Sequence, residues 1–329
     1  MLKTYLISLI IASGSFATDN IPITDQPSDK GSSSFFKNVT PPKESQWLYL
    51  NQPIPSNLPH ETFSNGHLSE VHSAQIKLFF PENWSPKKQM PVLCVCPGGG
   101  YAVEAIDKEG THIAQWAAKL GMVGVVIKYR VSQKDRQIGN FPGPLLDTRK
   151  TIRLLRQNAP LLGINPNQIG IIGFSAGGHL AGMTATLFNH PLKQEKNDNL
   201  NLISSKPNFA LLIYPVISSD PTIRHHGSIN TLLGADQSNE LLHLISVDQQ
   251  VTKDTPPIFL AQSLDDFVSV ENSHCMEKAC LKHKVPVKKV LYPHGGHGYG
   301  MEKRGNPTDQ WPEEAKLWLE SQKIIPTQH

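Results

Sequence analysis

Gly170-Ile171-Ile172-Gly173-Phe174-Ser175-Ala176-Gly177-Gly178-His179 is an apolar run that ends in G-x-S-x-G and opens into a segment of small residues. Such a run reads as a strand feeding a helix through a tight turn. Ser175 sits at the apex, where Gly173 and Gly177 remove the side chains that would collide with the neighbouring backbone. That turn lifts the Ser175 hydroxyl out at the C-terminal edge of a sheet. Ser175 is therefore the candidate nucleophile, and the remaining parts of the chain are read for what a nucleophilic serine needs.

Outward from the turn, short apolar or alternating runs recur between Pro and Gly: Gln75 to Phe80, Pro91 to Cys96, Met122 to Tyr129, Gln168 to Ile172, Phe209 to Tyr214, Ile258 to Gln262 and Val287 to Tyr292. They read as strands. Helical patterns lie between them at Thr111 to Leu120, Leu145 to Asn158, Gly178 to Phe188, Val270 to His283 and Asp309 to Ser321. This alternation predicts an α/β fold, a mostly parallel central sheet with helices on both faces. Met122 to Ile127 is apolar on both faces and belongs at the centre of the sheet. Residues 190–206 and 218–254 interrupt the alternation and are candidates for substrate-facing structure.

A serine nucleophile requires a base, and the base an orienting carboxylate. Two downstream strands supply both: Ile258 to Gln262 leads to Asp265 and Asp266, and Val287 to Tyr292 leads to His294 and His297. Asp265 comes directly off its strand and is assigned as the acid. Asp266 is kept as the alternative, with helix capping as its other role. His297, in a glycine-flanked loop free to reach back, is assigned as the base ahead of His294. Cys96-Pro97-Gly98-Gly99-Gly100-Tyr101 follows another strand and supplies a backbone that can approach a developing oxyanion without an intervening Cβ. The expected donors are the N–H groups of Gly99, Gly100 and Ala176. Tyr101 and His179 flank this region as candidate substrate-binding residues. No G-K-[ST] follows the glycines, so a phosphate loop is not indicated.

The motifs together resemble a known family. From about Ala74 to Gln322 the chain is similar to the α/β-hydrolase esterases of the acetylxylan-esterase and feruloyl-esterase-like group, related to hormone-sensitive-lipase-type carboxylesterases. The resemblance rests on Pro97 to Tyr101, Glu109-Gly110, Tyr129-Arg130-Val131, Asp147 with Arg149, Arg153 and Arg156, Gly173 to Gly182, Tyr214-Pro215-Val216, Thr255 to Pro257, Asp265-Asp266 with Val270 to Ser273, and Gly295 to Gly298. Pro97 stands where the H-G-G-G motif of many relatives has His, which leaves the backbone donors in place. Val268-Ser269 stands where Val-Pro often follows the paired Asp. The resemblance implies an α/β-hydrolase fold with strand-borne residues in the order Ser, Asp, His, and hydrolysis of short acyl esters, often acetyl groups on polysaccharides such as xylan. It requires no metal or organic cofactor. A serine peptidase of the prolyl-oligopeptidase type shares the serine turn and the paired Asp, and a feruloyl-type esterase is a further alternative.

Composition is consistent with that reading. The 329 residues carry 31 Lys and Arg against 28 Asp and Glu, without a basic run, so charge points to neither nucleic acid nor a membrane surface. The four cysteines read as small buried apolar groups, and no zinc-binding spacing occurs. Met1 to Lys3, the apolar stretch Tyr5 to Ala12, and Ser15 and Ala17 read as a secretory signal peptide over 1–17, and hence a secreted or periplasmic protein. Residues 18–72, rich in Pro, Ser, Asn and Asp, read as a linker or arm, which places the catalytic domain at 73–325. Arg149, Arg153 and Arg156 lie at helical spacing and are expected to pair structurally with Asp147 and its neighbours.

Overall fold

In a computed structural model the described residues are 36, 44–51, 60–131, 139–195 and 199–327. The expected signal peptide at 1–17 lies outside them. The strands are β1 (Leu48–Tyr49), β2 (Thr62–Ser64), β3 (His67–Ser69), β4 (Gln75–Phe79), β5 (Met90–Cys96), β6 (Val103–Glu104), β7 (Val123–Lys128), β8 (Ile164–Phe174), β9 (Ala210–Ile213), β10 (Ile258–Ser263) and β11 (Val287–Tyr292). The helices are α1 (His112–Lys119), α2 (Gly143–Gln157), α3 (Ala159–Leu162), α4 (Ala176–Thr186), α5 (His226–Leu233), α6 (Asn239–Ile245), α7 (Glu271–Lys282) and α8 (Trp311–Ser321), with a π-helical turn at Asp107–Thr111.

The main sheet has eight strands in the order β1-β4-β7-β5-β8-β9-β10-β11. From β7 to β11 every pairing is parallel, while β1 and β4 complete one edge antiparallel. This is the mostly parallel sheet anticipated from the alternation of elements, in the α/β-hydrolase arrangement that the resemblance implies. All six residues of β7 are buried, as a strand covered on both faces demands. Gly124 on β7 lets α1 pack closely, because a Cβ there would lie 2.3 Å from the carbonyl oxygen of Ala114. Every residue of α4 is buried, so this helix fills the centre of the layer behind the sheet.

The domain begins earlier than residue 73. β1 pairs with β4, β2 and β3 form a second, three-stranded sheet with β6, and Lys128 Nζ reaches Glu61 Oε2 at 2.7 Å. These strands are only two or three residues long, too short for a period to show in sequence. The arginine set also pairs differently from the expectation. Asp147 is bound by Arg130, with Nη2 to Oδ1 at 2.7 Å, whereas Arg149 reaches Glu195 at 2.7 Å and Arg153 also pairs with Glu195. Arg149 and Arg153 further donate to the carbonyls of His190 and Ile203, and Arg156 to that of Lys206. The insertion 190–206 is thus tied to α2. All four cysteines are free, with Cys94, Cys96 and Cys280 buried.

Candidate active site

β8 delivers the chain to Ser175, whose φ of 55° and ψ of −119° mark a strained turn between strand and helix. The strain is held by packing and hydrogen bonds. A Cβ at Gly173 would lie 2.0 Å from the Gly177 carbonyl oxygen, and one at Gly177 would lie 2.2 Å from that of Cys96. Ser175 N–H donates to the carbonyl of Ile213 on β9 at 3.0 Å, while Ser175 O accepts from His179 and Val216. Only glycine fits on either side, and the serine side chain is pushed toward the sheet edge.

Two further loops converge there. His297 Nε2 lies 2.8 Å from Ser175 Oγ, and His297 Nδ1 lies 2.8 and 3.0 Å from the two carboxylate oxygens of Asp266. A carboxylate can only accept, so Nδ1 carries the hydrogen and Nε2 presents its lone pair to the serine hydroxyl. His294, the other histidine weighed from the sequence, is exposed at the end of β11. Lys108 Nζ and Arg304 Nη2 both donate to the Gly298 carbonyl, which fixes the loop that carries His297.

Asp265, expected to face the imidazole, does not. Its carboxylate is exposed and accepts the N–H groups of Gly295 and Gly296, with Ser263 Oγ 2.7 Å away. These bonds hold its carboxyl below the usual carboxylate range, the Ser263 hydroxyl contributing most. The chain turns outward at Leu264 and Asp265 and inward again at Asp266, whose side chain is enclosed. Asp266 also accepts from Val268 N–H at 2.8 Å and from Gln262 Nε2 at 3.3 Å. It therefore shapes this turn and does not cap α7, whose N-cap position is Val270 and which has no side-chain cap. Adjacent carboxylates thus have separate tasks, one on the loop backbone and one on the ring.

The glycine loop after β5 lies against the serine turn: a Cβ on Gly98 would be 3.1 Å from Ser175 Cβ and 2.7 Å from the Phe174 carbonyl oxygen. Gly98 N–H is committed to Glu109 Oε2 at 2.8 Å, which leaves Gly99 and Gly100 as the next amides along the loop. Both have positive φ, 137° and 65°. Ala176, first in α4, has no carbonyl one turn back to receive its N–H.

Glu109 was not assigned a role from the sequence, although it follows the glycine loop closely. Its other oxygen accepts from Tyr214 OH at 2.9 Å, and Tyr214 OH accepts from Gly300 N–H at 2.9 Å. A buried bridge therefore joins the glycine loop to the histidine loop. Burial raises the Glu109 carboxyl above its ordinary range, opposed by the bonds from Tyr214 and Gly98. The Tyr214 ring also packs on His297 with centroids 4.7 Å apart.

Tyr101 and His179 do not line the opening. Both are fully buried, Tyr101 OH donating to His179 Nδ1 and His179 Nε2–H donating to the Ile245 carbonyl, each at 2.8 Å. His179 follows Ser175 by one helical turn, but it points from α4 toward α6 and not into the opening. Burial lowers its pKa to about 4, so it is neutral and serves as a strut. Among the described residues no group of three His, Cys, Asp or Glu side chains is placed to hold a metal ion, and no helix is long and apolar enough to cross a membrane.

The family profile BD-FAE matches residues 76–280, more than half of the chain and inclusive of the glycine loop, the serine turn and the paired aspartates. The chain belongs to the BD-FAE family. Among relatives of this BD-FAE chain is an acetylxylan esterase of Xylanibacter ruminicola, 31% identical over 78% of this chain and 50% of that protein. Another is endo-1,4-beta-xylanase B of Butyrivibrio fibrisolvens, 34% identical over 63% of this chain and 32% of that protein. The chain thus spans half or less of the length of these curated relatives. A solved structure, the acetyl ester-xyloside bifunctional hydrolase of Caldicellulosiruptor lactoaceticus, is 33% identical with a TM-score of 0.73, covering 85% of this chain and 97% of that one. A propionate-bound esterase of Thermogutta terrifontis shares the fold at 22% identity and a TM-score of 0.66, covering 78% of this chain and 92% of that one.

Proposed function

We propose that this protein is a serine carboxylesterase that removes short acyl groups, acetyl foremost, from esters carried on polysaccharides such as xylan. The observation that carries this reading is the continuous Ser175, His297, Asp266 relay, set against a glycine loop. His297 Nε2 takes the proton as Ser175 Oγ bonds to the ester carbonyl carbon. The carbonyl electrons move onto oxygen, where Gly99, Gly100 and Ala176 N–H groups receive the negative charge. Collapse of this intermediate expels the alcohol, protonated by His297, and leaves an acyl-serine. Water activated by the same imidazole then attacks, releasing the acid and restoring the hydroxyl. Asp266 keeps the ring in the tautomer that both halves need. The acetylxylan esterase and the xyloside hydrolase among its relatives support an acetylated sugar as substrate. The positive start and apolar stretch within residues 1–17 support export to where such polymers occur.

Acetate release from acetylated xylan and from p-nitrophenyl acetate, beside p-nitrophenyl octanoate, tests this directly. Wild type should act on both acetyl esters, and Ser175→Ala should fall by a factor on the order of 10⁶, or to background. Turnover of aminoacyl or prolyl amides without ester cleavage would replace the reading with a serine peptidase.

A further inference from the structure

Leaving-group protonation by His297 fixes which side of the site receives the alcohol. The imidazole must reach the departing oxygen, so the alcohol lies on the His297 side of Ser175 while the acyl oxygen faces the glycine loop. Two side chains that play no part in the triad lie by that imidazole, Phe267 against it and His225 beside Phe267.

Phe267 follows the acid directly in sequence and packs on His297 with centroids 4.4 Å apart, yet it is 72% exposed. Its counterpart on the same imidazole, Tyr214, is fully buried. His225, from the insertion 218–254, lies 5.8 Å from the Phe267 ring, centroid to centroid. Its neighbour Ser228 reaches the glycine loop, where a Cβ on Gly100 would come within 3.9 Å of Ser228 Oγ. His225 Nδ1 accepts Ser228 N–H at 3.2 Å as the cap of α5, and Ser228 Oγ lies 2.8 Å from the same nitrogen. With Nδ1 accepting, the hydrogen of the neutral ring sits on Nε2, which is left as a donor. Partial burial, together with the nearby His297 and His226, lowers the His225 pKa and supports that neutral form.

We propose that Phe267 and His225 form the subsite for the alcohol half of the substrate, and that this half is a pyranose. An open aromatic face receives the axial C–H surface of a sugar ring, while a neutral N–H donor at its border binds a ring hydroxyl. A simple alkyl alcohol would use the ring and leave the donor without a partner. The proposal rests on the esterase reading above and names its leaving group. It also gives a task to the insertion 218–254, which the family resemblance left without one.

The test compares kcat/KM on acetylated xylo-oligosaccharides with kcat/KM on ethyl acetate, whose alcohol is too small to span Phe267 and His225. Phe267→Leu should lower the ratio of sugar ester to ethyl acetate by up to roughly tenfold, the effect of losing one aromatic contact. Phe267→Trp should retain the ratio. His225→Asn keeps a good helix cap but shortens the donor, and should lower the ratio by roughly threefold to tenfold. Both losses should appear mainly in KM. Unacetylated xylo-oligosaccharide should inhibit ethyl acetate hydrolysis by wild type and inhibit the Phe267→Leu variant less. Equal losses on both esters, or an unchanged ratio, would mean that these side chains only support His297 and would overturn the subsite. Wild type active on ethyl acetate but not on the sugar ester would overturn it while leaving the triad intact. Wild type indistinguishable from Ser175→Ala on both esters would remove the esterase reading, and the subsite with it.

Discussion

The serine turn and the aspartate turn meet at one imidazole but are built by different means. Around Ser175 the geometry is steric: a Cβ on Gly173 or Gly177 would lie 2.0 or 2.2 Å from a backbone oxygen, and no other residue fits. Around residues 263–268 it is a matter of hydrogen bonding. Asp265 holds the amides of Gly295 and Gly296, and Asp266 holds Val268 N–H and the ring. A sterically forced turn can be recognised from the residue types that compose it. A hydrogen-bonded turn with two identical carboxylates in sequence cannot, because either could fill either place.

The strongest way to break this comparison is to exchange the carboxylates' roles. Asp266→Asn should lower kcat by about 10⁴-fold, since the amide presents N–H to Nδ1 and favours the wrong tautomer. Asp265→Asn should lower it by roughly threefold to tenfold, through a looser loop around Gly296. Comparable losses in steady-state kinetics would mean that the two positions share the work.

Behind the serine turn the sensitive element is His179. Its folded pKa of about 4 lies below the ordinary value of about 6.5, so the unfolded chain binds a proton in this window that the native protein does not. Above pH 6.5 the ring is neutral in both states and has no effect. As pH falls from 6.5 to 4 it should remove on the order of 3 kcal/mol of stability. Urea unfolding of wild type and His179→Gln between pH 7 and 4 checks this: the variant should be less stable at neutral pH but show a shallower loss on acidification.

The smallest effect tests the bridge between the glycine loop and the histidine loop. Tyr214→Phe removes the hydroxyl between Glu109 and Gly300 while keeping the ring against His297. Leaving those buried partners unpaired should cost about 1–3 kcal/mol of stability. The accompanying loss in kcat should be at most roughly tenfold, with KM for the acetyl ester nearly unchanged. A kcat loss as large as that of Asp266→Asn would make Tyr214 part of the chemistry and not of its support.

Much of the fold was legible because buried parallel strands and their glycine-bounded turns have few alternatives in composition. The run Val287 to Tyr292 matches β11 residue for residue, and the other main-sheet strands from β4 onward were each located. The short strands β1 to β3 were not, and they moved the domain boundary into the presumed arm. Tyr101 and His179 were misplaced because proximity in sequence to Ser175 and the glycine loop says nothing about which face of α4 or of the loop they occupy. Phe267 and His225 carried no signal by themselves. One directly follows the acid and the other lies in an irregular insertion, and only folding sets their rings side by side.

What the sequence determined by itself is the strand-turn-helix at Ser175, the parallel sheet that presents it, and the three strand ends from which the glycine loop, an aspartate and a histidine emerge. Those follow from local sterics and hydrophobic period, which each segment carries within itself. Tertiary structure alone decided that Asp266 and not Asp265 faces His297, that Glu109 and Tyr214 join the two loops, and that one wall of the opening is an exposed phenylalanine beside a neutral histidine. Each of these depends on which of several chemically equivalent groups comes within about 3 to 6 Å of another, a distance set by packing between segments far apart in the chain.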